Sequence, residues 1–258
     1  MTLESIYTLF DEYFTIIPSV NSQSVSELTA ECHDIADECQ KIRYQVYCLE
    51  QKFEREEDHP DHKENDEYDE LSLHALIQHK PSGDFAATVR LVTFESLGKN
   101  HLFPIELHSD INKKGRAIID SLPRNAIAEV SRFAVSKTFR KRILDSNYHG
   151  INELGEQRQL DSRRVIPHIT LGLFKVLFQM SHTAKVHYWY AVMEVTLIRL
   201  LRRFGFDFIR VGPVVDYHGK RVPCYINVAD ALDNIRKVQP GVWDFITDTG
   251  QLKLEHQS

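Results

Sequence analysis

The sequence predicts an α/β (α+β) domain built on a central mixed sheet flanked by helices. Apolar residues recur at spacings of three and four in several stretches, such as Ile35, Cys39, Ile42, Val46 and Leu49, which is helical periodicity. Other stretches, Phe85–Phe94, Ile127–Val135 and Val186–Met193, are short runs rich in β-branched and aromatic residues, which is strand composition. The two kinds interleave along the chain, the pattern of helices packed on a sheet.

Leu3, Ile6, Leu9, Phe10, Tyr13, Phe14 and Ile17 share one helical stripe that Pro18 closes, predicting an amphipathic first helix. Asn21–Ser24 reads as a linker and Val25–Cys32 as a strand, with Asp34 capping the helix that carries Ile35 to Leu49. Arg43 and Tyr47 lie one turn apart on it. Glu50–Glu70 reads as a loop, with Pro60 inside it. Ser72–His79 and Phe85–Phe94 form strands joined by the turn signal Pro81-Ser82-Gly83-Asp84. Glu95–Asn125 is expected to be a long irregular connection, and Ile127–Val135 a central strand. Ser136–Ser162 reads as a surface excursion and Val165–Ala184 as a helix with Pro167 in its first turn. Val186–Met193 follows as a strand and Glu194–Arg203 as a helix stopped by Gly205. Phe206–Val211 and Val222–Val228 complete the sheet. The expected units are an N-terminal helix (1–20), one domain (25–238) and a C-terminal tail (239–258).

The 258 residues are 42% hydrophobic and 26% charged with a net charge of −6, which argues against a general nucleic-acid binder. Charge is uneven: Glu50–Glu70 holds eleven acidic against three basic residues, and Lys137–Arg164 seven basic against four acidic. The second stretch invites an acidic partner, although a solvated face has the same composition. Cys32, Cys39, Cys48 and Cys224 form no Cys-x-x-Cys pair, consistent with reduced thiols in a cytoplasmic protein. Met1–Val20 carries Glu4, Asp11 and Glu12 and no basic leader, and no apolar run is long enough for a membrane span.

In the strand Ala128-Glu129-Val130-Ser131-Arg132-Phe133-Ala134-Val135, period-two alternation puts Glu129, Ser131, Phe133 and Val135 on one face, and Val130, Arg132 and Ala134 on the other. Burying these charges is costly without partners. Arg43, Arg90 and Arg132 stand in core-like elements, and the loop triplet Glu64-x-Asp66-x-x-Asp69 is an available supply of counter-ions. From spacing alone the cluster reads first as a plain surface network. A metal site on Asp61, Glu64, Asp66 and Asp69 lacks the calcium-loop pattern, and no metal is expected. Glu129 is the best candidate general base, since burial raises a carboxylate toward neutrality, with a structural ion pair to Arg43 or Arg90 as the alternative. Cys48 as a nucleophile lacks any local motif.

Taken together, Arg43-x-x-x-Tyr47, the aromatic Phe53, Glu64-x-Asp66-x-x-Asp69, Arg90-Leu91 and Glu129-x-Ser131-Arg132-Phe133 resemble the acyl-homoserine-lactone (autoinducer) synthases. They are still more similar to N-acyl amino acid synthases and to the acyltransferases of PEP-CTERM/exosortase systems, which share a GNAT-type fold. The resemblance covers Val25 to Val228. Tyr47 and Phe53 depart from the Phe and Trp usual in autoinducer synthases, which favours an amino acid acceptor over S-adenosylmethionine.

The resemblance implies a GNAT-like sheet whose parallel strands, 127–135 and 186–193, splay around an acyl-phosphopantetheine arm, with no bound cofactor. It implies transfer of a fatty acyl group from acyl carrier protein to the α-amine of an amino acid or similar small amine. Glu129, Ser131 and Arg132 would be catalytic. Arg43, Tyr47, Phe53, Glu64, Asp66, Asp69, Arg90 and Phe133 would shape the acceptor pocket, and Phe174, Phe178, Tyr188 and Tyr190 would take the acyl tail. Ser136-Lys137-Thr138-Phe139-Arg140-Lys141-Arg142 lacks the glycines of a pyrophosphate cradle. Its Lys137, Arg140, Lys141 and Arg142 suit docking of an acidic carrier. An autoinducer synthase and a non-catalytic carrier-binding or lipid-binding module are the alternatives. For Glu129 and Arg132 to serve one pocket, their strand must contain a bulge or bend.

Overall fold

In the computed structural model, residues 10–19, 30–97, 102–139, 149–151, 157–159, 162–216 and 220–254 are described. In chain order the elements are strand β1 (Phe14–Pro18), helix α1 (Ala30–Arg43) continued by a π-helical turn (Tyr44–Glu50), and strands β2 (Leu73–His79) and β3 (Phe85–Thr93). Short helices α2 (Pro104–His108) and α3 (Lys113–Asp120) precede β4 (Ile127–Val135). After it come the separate pair β5 (His149–Ile151) and β6 (Gln157–Gln159), the long helix α4 (Ser162–Thr183), β7 (Tyr188–Glu194) and α5 (Val195–Arg202). The chain continues through β8 (Ile209–Arg210), β9 (Val215–Asp216), β10 (Lys220–Asn227), α6 (Val228–Val238) and α7 (Pro240–Thr247).

Eight strands form one mixed sheet in the order β1-β2-β3-β4-β7-β10-β8, with β9 also paired to β10. Every pairing is antiparallel except β4 with β7. That parallel ladder holds only from Ile127↔Tyr188 to Glu129↔Tyr190, although β4 runs on to Val135 and β7 to Glu194. The two strands therefore separate beyond Glu129. This is the GNAT-like sheet, with the splay that the resemblance implies.

One face of the sheet packs Ala75, Ile77, Val89, Leu91 and Ala128 against Phe174, Leu177 and Phe178 of α4 and against α6 and α7. Fully burying side chains of this kind contributes about 1.5–3 kcal/mol each. On the other face, Cys39, Ile42 and Val46 meet Leu76 and Ala134, while Phe103, Ile105 and Ile119 meet Val92, Ile127 and Tyr190.

Several expectations are corrected. The helical stripe ends early: residues 10–13 are helical, but Phe14–Pro18 is an edge strand paired with β2, where Thr15, Ile16 and Ile17 suit a pleat and Pro18 is tolerated at an edge. Ala30–Cys32 belongs to α1, so Asp34 lies inside the helix and is no cap, while 20–29 fall outside the described residues. The supposedly irregular 95–125 connection contains α2 and α3. Helix α4 starts five residues before Pro167. Of Phe206–Val211 only Ile209–Arg210 is strand. Within the expected tail, α7 buries Val242, Phe245 and Ile246 in the main core, with Phe245 edge-on to Phe10 at 5.2 Å.

Candidate active site

β4 carries one residue more than β3 at the centre of the sheet: Arg90 pairs with Ser131 and Thr88 with Ala134, and Arg132 takes a left-handed φ of 50°. A non-glycine residue in that region costs of order 1–3 kcal/mol, which the surrounding contacts must sustain. The bulge changes the phase of the strand. Ahead of it Ala128 and Val130 face the α4 side; after it Phe133 and Val135 do. Glu129, Ser131 and Arg132 thus all line one cavity on the opposite face. The bulge required by the sequence is present, and it corrects the simple alternation: Arg132, not Phe133, shares a side with Glu129. Phe133 packs at 5.5 Å on Phe174 and does not line the cavity.

The cavity encloses about 640 Å³. Tyr47 and Phe53 stack at 6.4 Å on one wall. Pro104, Ile105 and His108 of the unforeseen α2, with Ser109 just after it, form another, and Val192 and Arg221 close it from β7 and β10.

Beside it lies a network of three arginines and three carboxylates. Arg43, the last residue of α1, has no solvent exposure; it grips Asp69 with both terminal nitrogens (2.6 and 3.1 Å) and donates through Nε to Glu64. Arg90 of β3 donates to both oxygens of Asp66 (2.5 and 2.9 Å), to Asp69 Oδ1 (2.6 Å) and, through Nε, to Ser131 Oγ (3.0 Å). Arg132 donates to both oxygens of Glu64 at 3.1 Å and to Asp66 Oδ2 at 2.9 Å, with its guanidinium 5.9 Å over the Tyr47 ring. Six formal charges cancel. Burial alone would raise these carboxyls, but it is outweighed: Arg43 and Arg132 hold Glu64 low, Arg90 holds Asp66 low, and Arg43 and Arg90 hold Asp69 far below the carboxylate range. The acidic stretch is therefore not all surface, because Glu64 and Asp69 are buried by partners 21 to 68 residues away in sequence.

Glu129 behaves differently. It is buried, and its one described hydrogen-bond partner is the Ile105 backbone N–H at 2.8 Å, in the first turn of α2. Burial pushes its carboxyl up to about 7, only partly countered by that N–H and by Arg90 and Arg132. Glu129 thus titrates near neutral pH, as a base should, and the anticipated ion pair with Arg43 or Arg90 is not formed. The Cys48 thiol is buried and pushed up to about 11, the wrong direction for a nucleophile.

Of the residues assigned to the acyl tail, Phe174 and Phe178 lie in the main core with Trp189 and Phe206. Tyr190 packs edge-on to Phe103 at 5.5 Å, and Tyr188 packs against the same smaller cluster. Lys137 extends its ammonium to Gln51 at 3.0 Å, while Arg140, Lys141 and Arg142 lie outside the described residues. Among the described residues no cluster of three acidic, His or Cys side chains could hold a metal, and no helix is long and apolar enough to cross a membrane. Ile105 and Arg221 were missed. Pro104 with Glu106 two residues later is a helix-start signal that marks the first; nothing local marks the second.

Residues 42–146 match the model of an acetyltransferase (GNAT) domain. No curated protein matches the chain. Among solved structures, the AHL synthase LasI aligns with a TM-score of 0.52 at 17% identity, over 95% of this chain and 98% of that one. FeeM, an N-acyl amino acid synthase from uncultured soil microbes, aligns at 0.52 and 12%, over 86% and 94%. The CoA-dependent acyl-homoserine lactone synthase BjaI aligns at 0.53 and 15%, over 95% and 94%. The chain carries a GNAT-type domain, and the class so defined is an acyltransferase. Within that class its likenesses in fold are to autoinducer synthases and an N-acyl amino acid synthase.

Proposed function

We propose that the protein transfers a fatty acyl chain from the phosphopantetheine thioester of acyl carrier protein to the α-amine of an amino acid, forming an amide. The observation that carries this is Glu129, a carboxylate titrating near neutrality where β4 and β7 part, facing a cavity with aromatic and cationic walls. The neutral amine attacks the thioester carbonyl; a carbon–nitrogen bond forms and the carbon–sulfur bond breaks. Glu129, directly or through a water, takes the amine proton, which finally resides on the departing thiol. Backbone groups of β4 and β7 beyond Glu129 no longer pair with each other across the gap, which leaves room for the arm and donors for the carbonyl oxygen. Arg43, Arg90, Arg132 and their carboxylates hold the pocket in shape.

What favours a carrier protein over coenzyme A is Glu50. Its carboxylate accepts from the Lys137 and Thr138 backbone N–H groups (2.7 and 2.9 Å) and from Ser136 Oγ (3.1 Å). Those N–H groups follow β4, the position at which a pyrophosphate would be held, and the chain's own anion fills it. Glu50→Ala is expected to raise kcat/KM for acyl-coenzyme A relative to acyl carrier protein about tenfold, the worth of one bond to a charged group. An unchanged ratio would separate Glu50 from donor choice.

The function itself is tested by mass spectrometry of lipid extracts from a bacterial host expressing the protein. N-acyl amino acids are the expected products. Acyl-homoserine lactones instead would identify an autoinducer synthase, and neither product would count against both.

A further inference from the structure

Three of the four arginines that face the cavity or its network are matched by carboxylates. Arg221 is the exception. It is the second residue of β10, opposite Glu194 on β7, and lines the cavity with its guanidinium carbon 5.4 Å from the centre of the Phe53 ring. Its Nε is buried without a hydrogen-bond partner, and among the described residues it forms no ion pair; Glu54 and Glu67, also in the lining, do not reach it. A buried donor left unsatisfied is destabilising, more so when charged, so an anion entering this cavity gains by meeting it.

The ladder places this group relative to Glu129. Tyr190 is the partner of Glu129 on one side and of Tyr225 on the other, and Arg221 precedes Tyr225 by four residues. Arg221 is therefore anchored roughly 13 Å along the strands from Glu129, at the open end of the splay. Two long side chains reaching into one cavity from these positions leave room between them for a small molecule whose amine and carboxylate share one carbon. A planar, singly charged anion suits the arginine fork, and the acidic neighbours Glu54 and Glu67 disfavour a multiply charged phosphate.

We propose that Arg221 forms a carboxylate subsite, so that the acceptor is an α-amino acid with its carboxylate free and its side chain against the Tyr47–Phe53 pair. The assignment rests on the acyl-transfer reading above and specifies its acceptor. It is tested by comparing amino acids with their carboxamides as acceptors, for the wild type, Arg221→Met and Arg221→Lys. The wild type is expected to prefer the acids. Arg221→Met is expected to cut the acid-to-amide ratio of kcat/KM roughly 100-fold, mainly through KM, in line with lost bonds to a charged group, and Arg221→Lys to restore part of it. A wild type indifferent to the carboxylate, or a variant that loses acids and amides equally, overturns the subsite. If the wild type acylates neither, acyl transfer fails while the subsite is still decided by thermal unfolding. Stabilisation by amino acids and not by amides, absent in Arg221→Met, supports it; no such difference overturns it.

Discussion

Glu129→Gln is expected to lower kcat/KM by roughly 100- to 10,000-fold, the usual worth of a general base, without unfolding the protein. The glutamine oxygen still accepts the Ile105 N–H, and the side chain is nearly isosteric, so the anchor to α2 survives. The wild type should gain activity as pH rises through about 7, where Glu129 loses its proton, and the variant should lose that limb. Stability should move the other way. The folded-state value, about 7, lies above the ordinary 4.5, so the folded protein holds the proton more tightly than the unfolded chain. Glu129 therefore costs nothing below pH 4.5 and progressively more up to about 7, in total on the order of 3 kcal/mol. Glu129→Gln should accordingly melt like the wild type near pH 4 and above it at pH 8. A variant with full activity and an intact pH limb would place the base elsewhere.

The parts of this site that sequence made legible are those with a local signature. Arg43 and Tyr47 one turn apart, the Glu64, Asp66 and Asp69 spacing, and charges inside apolar strands point to an ion-pair cluster, and Arg43, Arg90, Arg132, Glu64, Asp66 and Asp69 meet in one, while Glu129 stands apart on the Ile105 N–H. Its wiring was not legible, because the partners of Glu64 are 21 and 68 residues away and composition marks the whole 50–70 stretch as surface. Helix α2 escaped because five residues are too few to show a period, yet its first turn anchors the base. Phe10, Tyr13, Phe14 and Ile17 fit a helical stripe, but pairing of β1 (Phe14–Pro18) with the edge of β2 overrides that local preference. The bulge at Arg132 was legible only as a necessity of two charges sharing a pocket, since no residue there favours a positive φ.

Asp69→Ala is expected to have the largest effect on stability. Asp69 binds Arg43 through both oxygens and Arg90 through one, and its Oδ2 also accepts the Asp66 backbone N–H at 2.9 Å. Removing it leaves two arginines, exposed by only 0% and 1%, short of a partner. Breaking such a buried pair from one side costs about 3–5 kcal/mol, or roughly 10 °C of melting temperature for a chain of this size. Arg43→Met should cost a similar amount by stranding Glu64 and Asp69. Arg132→Gln, whose side chain is 29% exposed, should cost clearly less, because water screens what remains. Combining Arg43→Met with Asp69→Leu should not restore wild-type stability, since Glu64 and Arg90 stay partly unmatched and the six charges balance as a set. The pH dependence has a definite sign. Glu64, Asp66 and Asp69 all titrate lower in the folded protein than in the unfolded chain, so their contribution is complete above about pH 4.5 and is lost as pH falls toward the folded-state values. Urea unfolding at pH 7 and pH 3 measures both effects. The gap between wild type and Asp69→Ala should narrow at the lower pH, and a gap independent of pH would mean that Asp69 acts by packing instead of charge.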